Sequence, residues 1–133
     1  MKIDWNDKEV LRKVDKAIGV ASKKGAELVL KKSIAAVPVG KTGDLKKSIK
    51  IHKSDRIKNS WAVGVFSEMT GKWENSIAAR AVFVEYGHAA PGDKRGPKIT
   101  KPQSFLRTPL RQSKRQLRKF FIDAFKKLDR DYR

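Results

Sequence analysis

Cysteine is absent from the chain, which excludes a disulfide framework and any thiolate-bound metal and leaves stability to packing. Histidine occurs only twice, as His52 and His88. No Gly-rich phosphate loop of the P-loop or dinucleotide type is present, and no set of residues resembles a catalytic triad. Apolar runs are short. None approaches the roughly 20 residues needed to span a bilayer, and the first residues, MKIDWNDKEV, hold no apolar core of a secretory signal, so no membrane partner is expected. Acid is scarce too: 14 Asp and Glu stand against 32 Lys and Arg, a formal charge of +18. Such an excess must meet something acidic or stay heavily solvated. The cations are interleaved with apolar residues along the whole chain, without a low-complexity block or a repeat, so the fold itself is basic. At 133 residues the chain is long enough for one modest core, and residues 1–133 are read as a single unit.

Periodicity predicts a long helix over residues 7–36. Asn6 is its N-cap, Glu9 completes a capping box, and Trp5 with Val10 forms a hydrophobic staple. Its apolar stripe runs Leu11, Val14, Ile18, Ala21, Gly25, Leu28, while Arg12, Lys13, Lys16, Lys23, Lys24 and Lys31 lie largely off it. Ala21 and Gly25 leave the middle of the stripe narrow, so either the sheet or a second helix crosses closely there. Pro38 ends the helix. Gly40 and Gly43 then make a corner, and Thr42 is placed to cap one helical turn from Asp44 to Lys47.

Ile49 and Ile51 alternate with polar residues, and SWAVGVF carries Trp61, Val63 and Val65 on one side, which predicts an antiparallel hairpin. Residues 68–78 read as a long excursion. AVFVEYGH, residues 81–88, reads as a buried strand with Ala81, Phe83 and Glu85 on one face and Val82, Val84 and Tyr86 on the other. Residues 89–103, rich in proline, glycine and cations, read as an exposed loop with a short edge strand at Lys98 to Lys101. A second long helix follows, with Thr108 as N-cap and Pro109 in the first helical position. Leu110, Leu117, Phe121, Ala124 and Leu128 mark its packed face, with Leu106 leading in and Phe120 and Phe125 widening the stripe. The fold class is therefore α+β, two long helices packed on a small antiparallel sheet.

For chemistry, Glu85 and His88 are the only clustered candidates, and at a strand end their side chains splay without a third metal ligand. No catalytic, metal or cofactor-binding residue is assigned. Arg107, Arg111, Lys114, Arg115, Arg118 and Lys119 crowd the first half of the second helix, where the macrodipole disfavours positive charge in the first turn. An acidic partner, DNA or protein, explains that crowding. No zinc-finger, RNP-type or helix-turn-helix module is present, so the charge argues only for phosphate contact without sequence preference.

Three blocks, VPVGKTGDLKKSI at 37–49, AVFVEYGH at 81–88 and SFLRTPL at 104–110, resemble in order and spacing the tail-component or neck family of long-tailed bacteriophages. The chain departs from that pattern at His88, at Ser104 and by one additional residue between Val39 and Thr42. The resemblance implies a non-enzymatic virion protein of the tail or neck, made in the host cytoplasm, which helps complete the tail or join it to the filled head. It implies a homo-oligomeric ring, six copies by analogy, flanked by head-closure and tail proteins, whose basic surface either holds DNA without sequence preference or docks on acidic rings above and below. It also implies two contact corners: Thr42, Gly43 and Asp44 in one, and Glu85, Tyr86, Gly87 and His88 in the other, with Glu85 pairing to a cation of the next copy. A free nucleic-acid-binding protein is the alternative reading, and a small basic nuclease a third.

Overall fold

The computed structural model of the chain describes residues 7–39, 43–66, 76–93 and 96–131. Helix α1, Asp7–Ala36, has the expected bounds, and Pro38 follows its last turn. Asn6 and Trp5, expected to cap and staple it, lie outside the described residues, as do Gly40 and Thr42 at the next corner. A single-turn helix, α2, spans Asp44–Ser48, and the residue before it, Gly43, has φ +66°, a left-handed conformation that glycine adopts without strain. Strands β1, Ile49–Lys53, and β2, Trp61–Val65, form the predicted antiparallel hairpin. Their register pairs Ile49 with Val65, Ile51 with Val63 and Lys53 with Trp61, which puts the apolar residues on one face. The turn of this hairpin is pinned to α1: Lys58 forms an ion pair with Asp15, and the Asn59 side chain donates to the Asp15 carbonyl at 3.1 Å.

The strand expected over residues 81–88 is a helix. Helix α3 spans Ile77–Tyr86, and the Ser76 hydroxyl caps it by accepting from the Ala79 amide at 3.0 Å. Alternation and helical burial are indistinguishable over so short an apolar run; what decides is that α3 buries Ala79, Ala81 and Glu85 while leaving Val82, Phe83 and Tyr86 outside. The excursion expected over 68–78 therefore ends by Ser76, and residues 67–75 lie outside the described residues. The loop expected over 89–103 also changes, because β3, His88–Asp93, and β4, Gly96–Thr100, pair as a second antiparallel hairpin with an irregular register between Ala90 and Asp93. β3 and β4 pack mainly on each other.

Helix α4, Arg107–Asp131, begins earlier than Thr108 as a cap would allow. Pro109 falls in its first turn, where a missing amide costs no intrahelical bond, and the ring is fully buried. Three stripe assignments change: Leu11, Leu110 and Phe125 are solvent-exposed, while Ser33 and Ser113 take buried positions on α1 and α4. The remaining stripe of α4, Leu117, Phe121, Ala124 and Leu128, is half-buried. The architecture is α+β, with α1 touching both the first hairpin and α4. Val37, Ile49, Ala81 and Phe105 form the most buried cluster, with Leu30, Ile34, Leu45, Val63, Val65, Val84 and Leu106 around it. One residue or more of each of the three sequence blocks meets there.

The narrow middle of α1 receives α4, as Gly25 and its buried neighbours Ala21 and Ala26 allow. A Cβ on Gly25 would stand 2.7 Å from a terminal methyl of Leu117. That methyl can swing aside for one carbon but has no room for four. Gly25→Ala is therefore expected to leave stability nearly unchanged or raise it slightly, since a helix gains about 1 kcal/mol from the exchange. Gly25→Leu is expected to cost roughly 1–3 kcal/mol by overpacking. Adding Leu117→Ala to Gly25→Leu should return part of that loss, read as the coupling energy in urea denaturation of the four chains.

Candidate functional site

The residues singled out at 84–88 meet those at 104–107. Helix α3 ends at Tyr86 and hands over to Gly87, whose backbone (φ +75°, ψ 166°) is open in practice only to glycine. A Cβ there would lie 2.5 Å from the Thr100 carbonyl oxygen. The Gln103 amide returns to the Val84 carbonyl at 2.7 Å, so the chain leaves α3 and comes back to it after the second hairpin. That return places the start of α4 against Glu85.

The Glu85 side chain is only 5% exposed. One carboxylate oxygen accepts from the Leu106 amide at 2.9 Å; the other accepts from the Arg107 amide at 3.1 Å and from Arg107 Nε at 2.9 Å. Arg107 continues the network by donating to the Glu85 carbonyl at 3.2 Å and to the Ser104 hydroxyl at 3.0 Å, and its guanidinium lies 4.3 Å over the ring of Tyr86. Burial by itself pushes the Glu85 carboxyl up, but the hydrogen bonds from Leu106 and Arg107 and the charge of Arg107 outweigh it and hold the group below its usual range. Glu85 is thus a helix cap in trans, an anion held on the amides at the positive end of α4. Its cation partner is within its own chain rather than in the next copy.

This arrangement corrects one expectation, agrees with the splayed Glu85 and His88 expected from the sequence, and explains the positive charge at the start of α4. The cap of α4 comes from Glu85 of α3, not from Thr108. Glu85 and His88 do not converge: His88 packs on Phe83 at 5.0 Å between ring centroids, and its Nδ1 has no hydrogen-bond partner among the described residues. Positive charge in the first turn of α4 is tolerated at Arg107 because a buried carboxylate faces it. Among the described residues no group of three potential metal ligands occurs, and no helix is long and apolar enough to cross a membrane.

Among the described residues, two open apolar surfaces border this site. Val82, Phe83 and Tyr86, on the outer side of α3, are 43%, 37% and 60% exposed. Sequence reasoning named Tyr86 but missed Val82 and Phe83, because a strand reading sends them to opposite faces. The second surface is a cleft of about 550 Å³ between α1, the β1–β2 turn and α4, with Ala26, Val29, Trp61 and Leu117 among its walls and Ile57 and Leu110 exposed at its rim. Of the other expected contact residues, Gly43 and Asp44 mark the start of α2, and Thr42 lies outside the described residues.

Removing the trans cap strips partners from two amides and a guanidinium at once. Glu85→Ala is expected to destabilise the fold by roughly 3 kcal/mol, and Glu85→Gln, which can accept from only one side, by somewhat less. Because the carboxyl is depressed in the folded state, its contribution is present above the unfolded value of about 4.3 and is lost as pH falls through the lower folded value. Urea midpoints measured between neutral and strongly acidic pH should therefore fall in the wild type below about pH 4 and fall less steeply in Glu85→Gln.

Comparison with curated proteins and with solved structures gives no match for the chain. A family model does match, over residues 6–87, with the description "Bacteriophage HK97-gp10, putative tail-component". The match takes in α1, α2, the first hairpin and α3 with Glu85, and stops where the second hairpin begins. It covers more than half of the sequence, and on that ground the chain belongs to the HK97-gp10-like family of bacteriophage tail components.

Proposed function

We propose that this protein acts by assembly rather than by chemistry, as a homo-oligomeric ring that completes the phage tail or joins it to the head. Family membership supports a structural part in the tail of the virion. The observation that carries the finer reading is the outer side of α3. A ten-residue helix that turns Ala79, Ala81 and the capping Glu85 inward also presents an apolar group outward, Val82, Phe83 and Tyr86. Contiguous exposed apolar side chains of this kind mark protein contacts. Tyr86 is in addition held in place by Arg107, so the surface is ordered before a partner arrives. Among the described residues the acid beside it, Glu85, has both oxygens engaged in three hydrogen bonds to the start of α4, and its lowered pKa makes it a weak general base.

In this reading the copies of the chain meet through α3 and the adjoining Gly87 and His88, and head-closure and tail proteins pack above and below. Light scattering on the purified protein without nucleic acid, at low and high salt, tests it. A species several times the monomer mass is expected, and Val82→Glu with Tyr86→Glu should reduce it to monomer while the helical circular dichroism stays unchanged. A wild-type protein that remains monomeric at every concentration and salt overturns the ring.

A further inference from the structure

Helix α4 divides its cations unevenly around its axis. Its buried side is marked by Pro109 and Ser113, and half-buried Leu117, Ala124 and Leu128 continue that line. At 3.6 residues per turn, Arg111, Arg115, Arg118, Lys119 and Lys126 fall on the opposite side, all exposed, with Ile122 the uncharged member among them. Among the described residues none of these five cations forms an ion pair. Asp129 closes the row at its C-terminal end. Arg107 does not belong to it, being engaged with Glu85 and Tyr86, and Lys114 lies to one side, toward Phe121 and Phe125.

The row is about 22 Å long at 1.5 Å per residue. Like charges three and four residues apart on a helix repel, each pair by a few tenths of a kcal/mol; Asp123 and Asp129 stand three or four residues from Lys119 and Lys126 only, so the stretch from Arg111 to Lys119 weakens α4 unless an anion lies along it. The outer side of α1 offers no such row: Glu9, Val20 and Glu27 interrupt its lysines, and Lys13 is paired with Glu9 at 3.0 Å. From this placement we infer that the outer face of α4 binds the phosphate backbone of duplex nucleic acid through Arg111, Arg115, Arg118, Lys119 and Lys126, without reading sequence.

A duplex carries a phosphate on each strand every ~3.4 Å of axis, but each strand winds away from a straight helix, so the five cations meet only the few phosphates that face them, about four by the charge available. Phosphate contact needs only guanidinium and ammonium groups at the right pitch, and arginine, which supplies three of the five, can grip an anion with two parallel hydrogen bonds. An acidic protein is the less suitable occupant, because protein interfaces close around an apolar centre and this face has only Ile122. The open apolar surfaces of the described residues lie elsewhere, on α3 and in the two clefts between α1 and α4. The inference goes beyond the assembly reading and stands without it, since a monomer carries the whole row.

Fluorescence anisotropy of the full-length protein with a short mixed-sequence duplex DNA, titrated across a range of salt, tests it. A log–log salt slope of about −4 is expected, with affinities for two unrelated sequences within about threefold. Replacing Arg111, Arg115, Arg118 and Lys119 together by Gln should weaken binding at least about tenfold and flatten the slope by about three. A control of equal charge, Lys8, Lys16, Lys24 and Lys31 all to Gln on α1, should keep most of the affinity and slope. Equal losses in the two variants would mean that net charge alone is at work and overturn the inference. So would a helix α4 variant that binds DNA like wild type yet loses association with other tail proteins, which would assign the row to an acidic protein. The oligomer mass without DNA separates this outcome from failure of the ring.

Discussion

A carboxylate with almost no access to water needs a donor at each oxygen, and the chain around Glu85 is arranged to supply them. Leu106 and Arg107 offer backbone amides that a helix start leaves unpaired, and Arg107 adds a guanidinium. The interaction joins the end of α3 to the start of α4, and Phe105, one residue before the capped amides, is thereby lodged in the core with Val37, Ile49 and Ala81. From that fixed start α4 runs back along α1, where Gly25 and Ala21 let it approach. The three sequence blocks that suggest the family are thus mainly the parts of one joint: α2 and β1 from the first, Ala81 and Glu85 from the second, Phe105 and Arg107 from the third.

Elements whose residues repeat over several turns were legible in the sequence, because burial samples the same face many times. Helix α1 has the expected bounds, Gly25 marks the crossing, and the first hairpin has the expected strands. Helix α3 was not legible from alternation. It has ten residues, apolar on nearly every side, and valine and phenylalanine favour strands as readily as buried helices. Two local signals pointed the right way: Ser76, three residues before Ala79, and Gly87 directly after Tyr86, a start and a stop around a stretch without glycine or proline.

The role of Glu85 was out of reach for a different reason. Its partners are some twenty residues away and become neighbours only because the second hairpin folds back on itself, so no spacing rule contains the contact. The six cations from Arg107 to Lys119 were visible as a cluster, but only the helix axis sorts them: one pairs with the capping Glu85, one lies aside, and four join Lys126 on the outer face. The family match ends at Gly87, so α4 and its charge pattern are features of this chain rather than of the matched region.

The second hairpin leaves the body and returns to it at one point. Val84 and Gln103 are bonded across its base, and Gly87 lies against Thr100 and Pro102. With both ends of the segment clamped, a change of length between them need not be passed to Glu85, Phe105 or α4. Each doubling of such a loop costs only about 0.6 kcal/mol in closure entropy. The hairpin is therefore where related chains can vary in length most freely, and where a foreign peptide or epitope can be grafted with least disturbance to the joint beneath it.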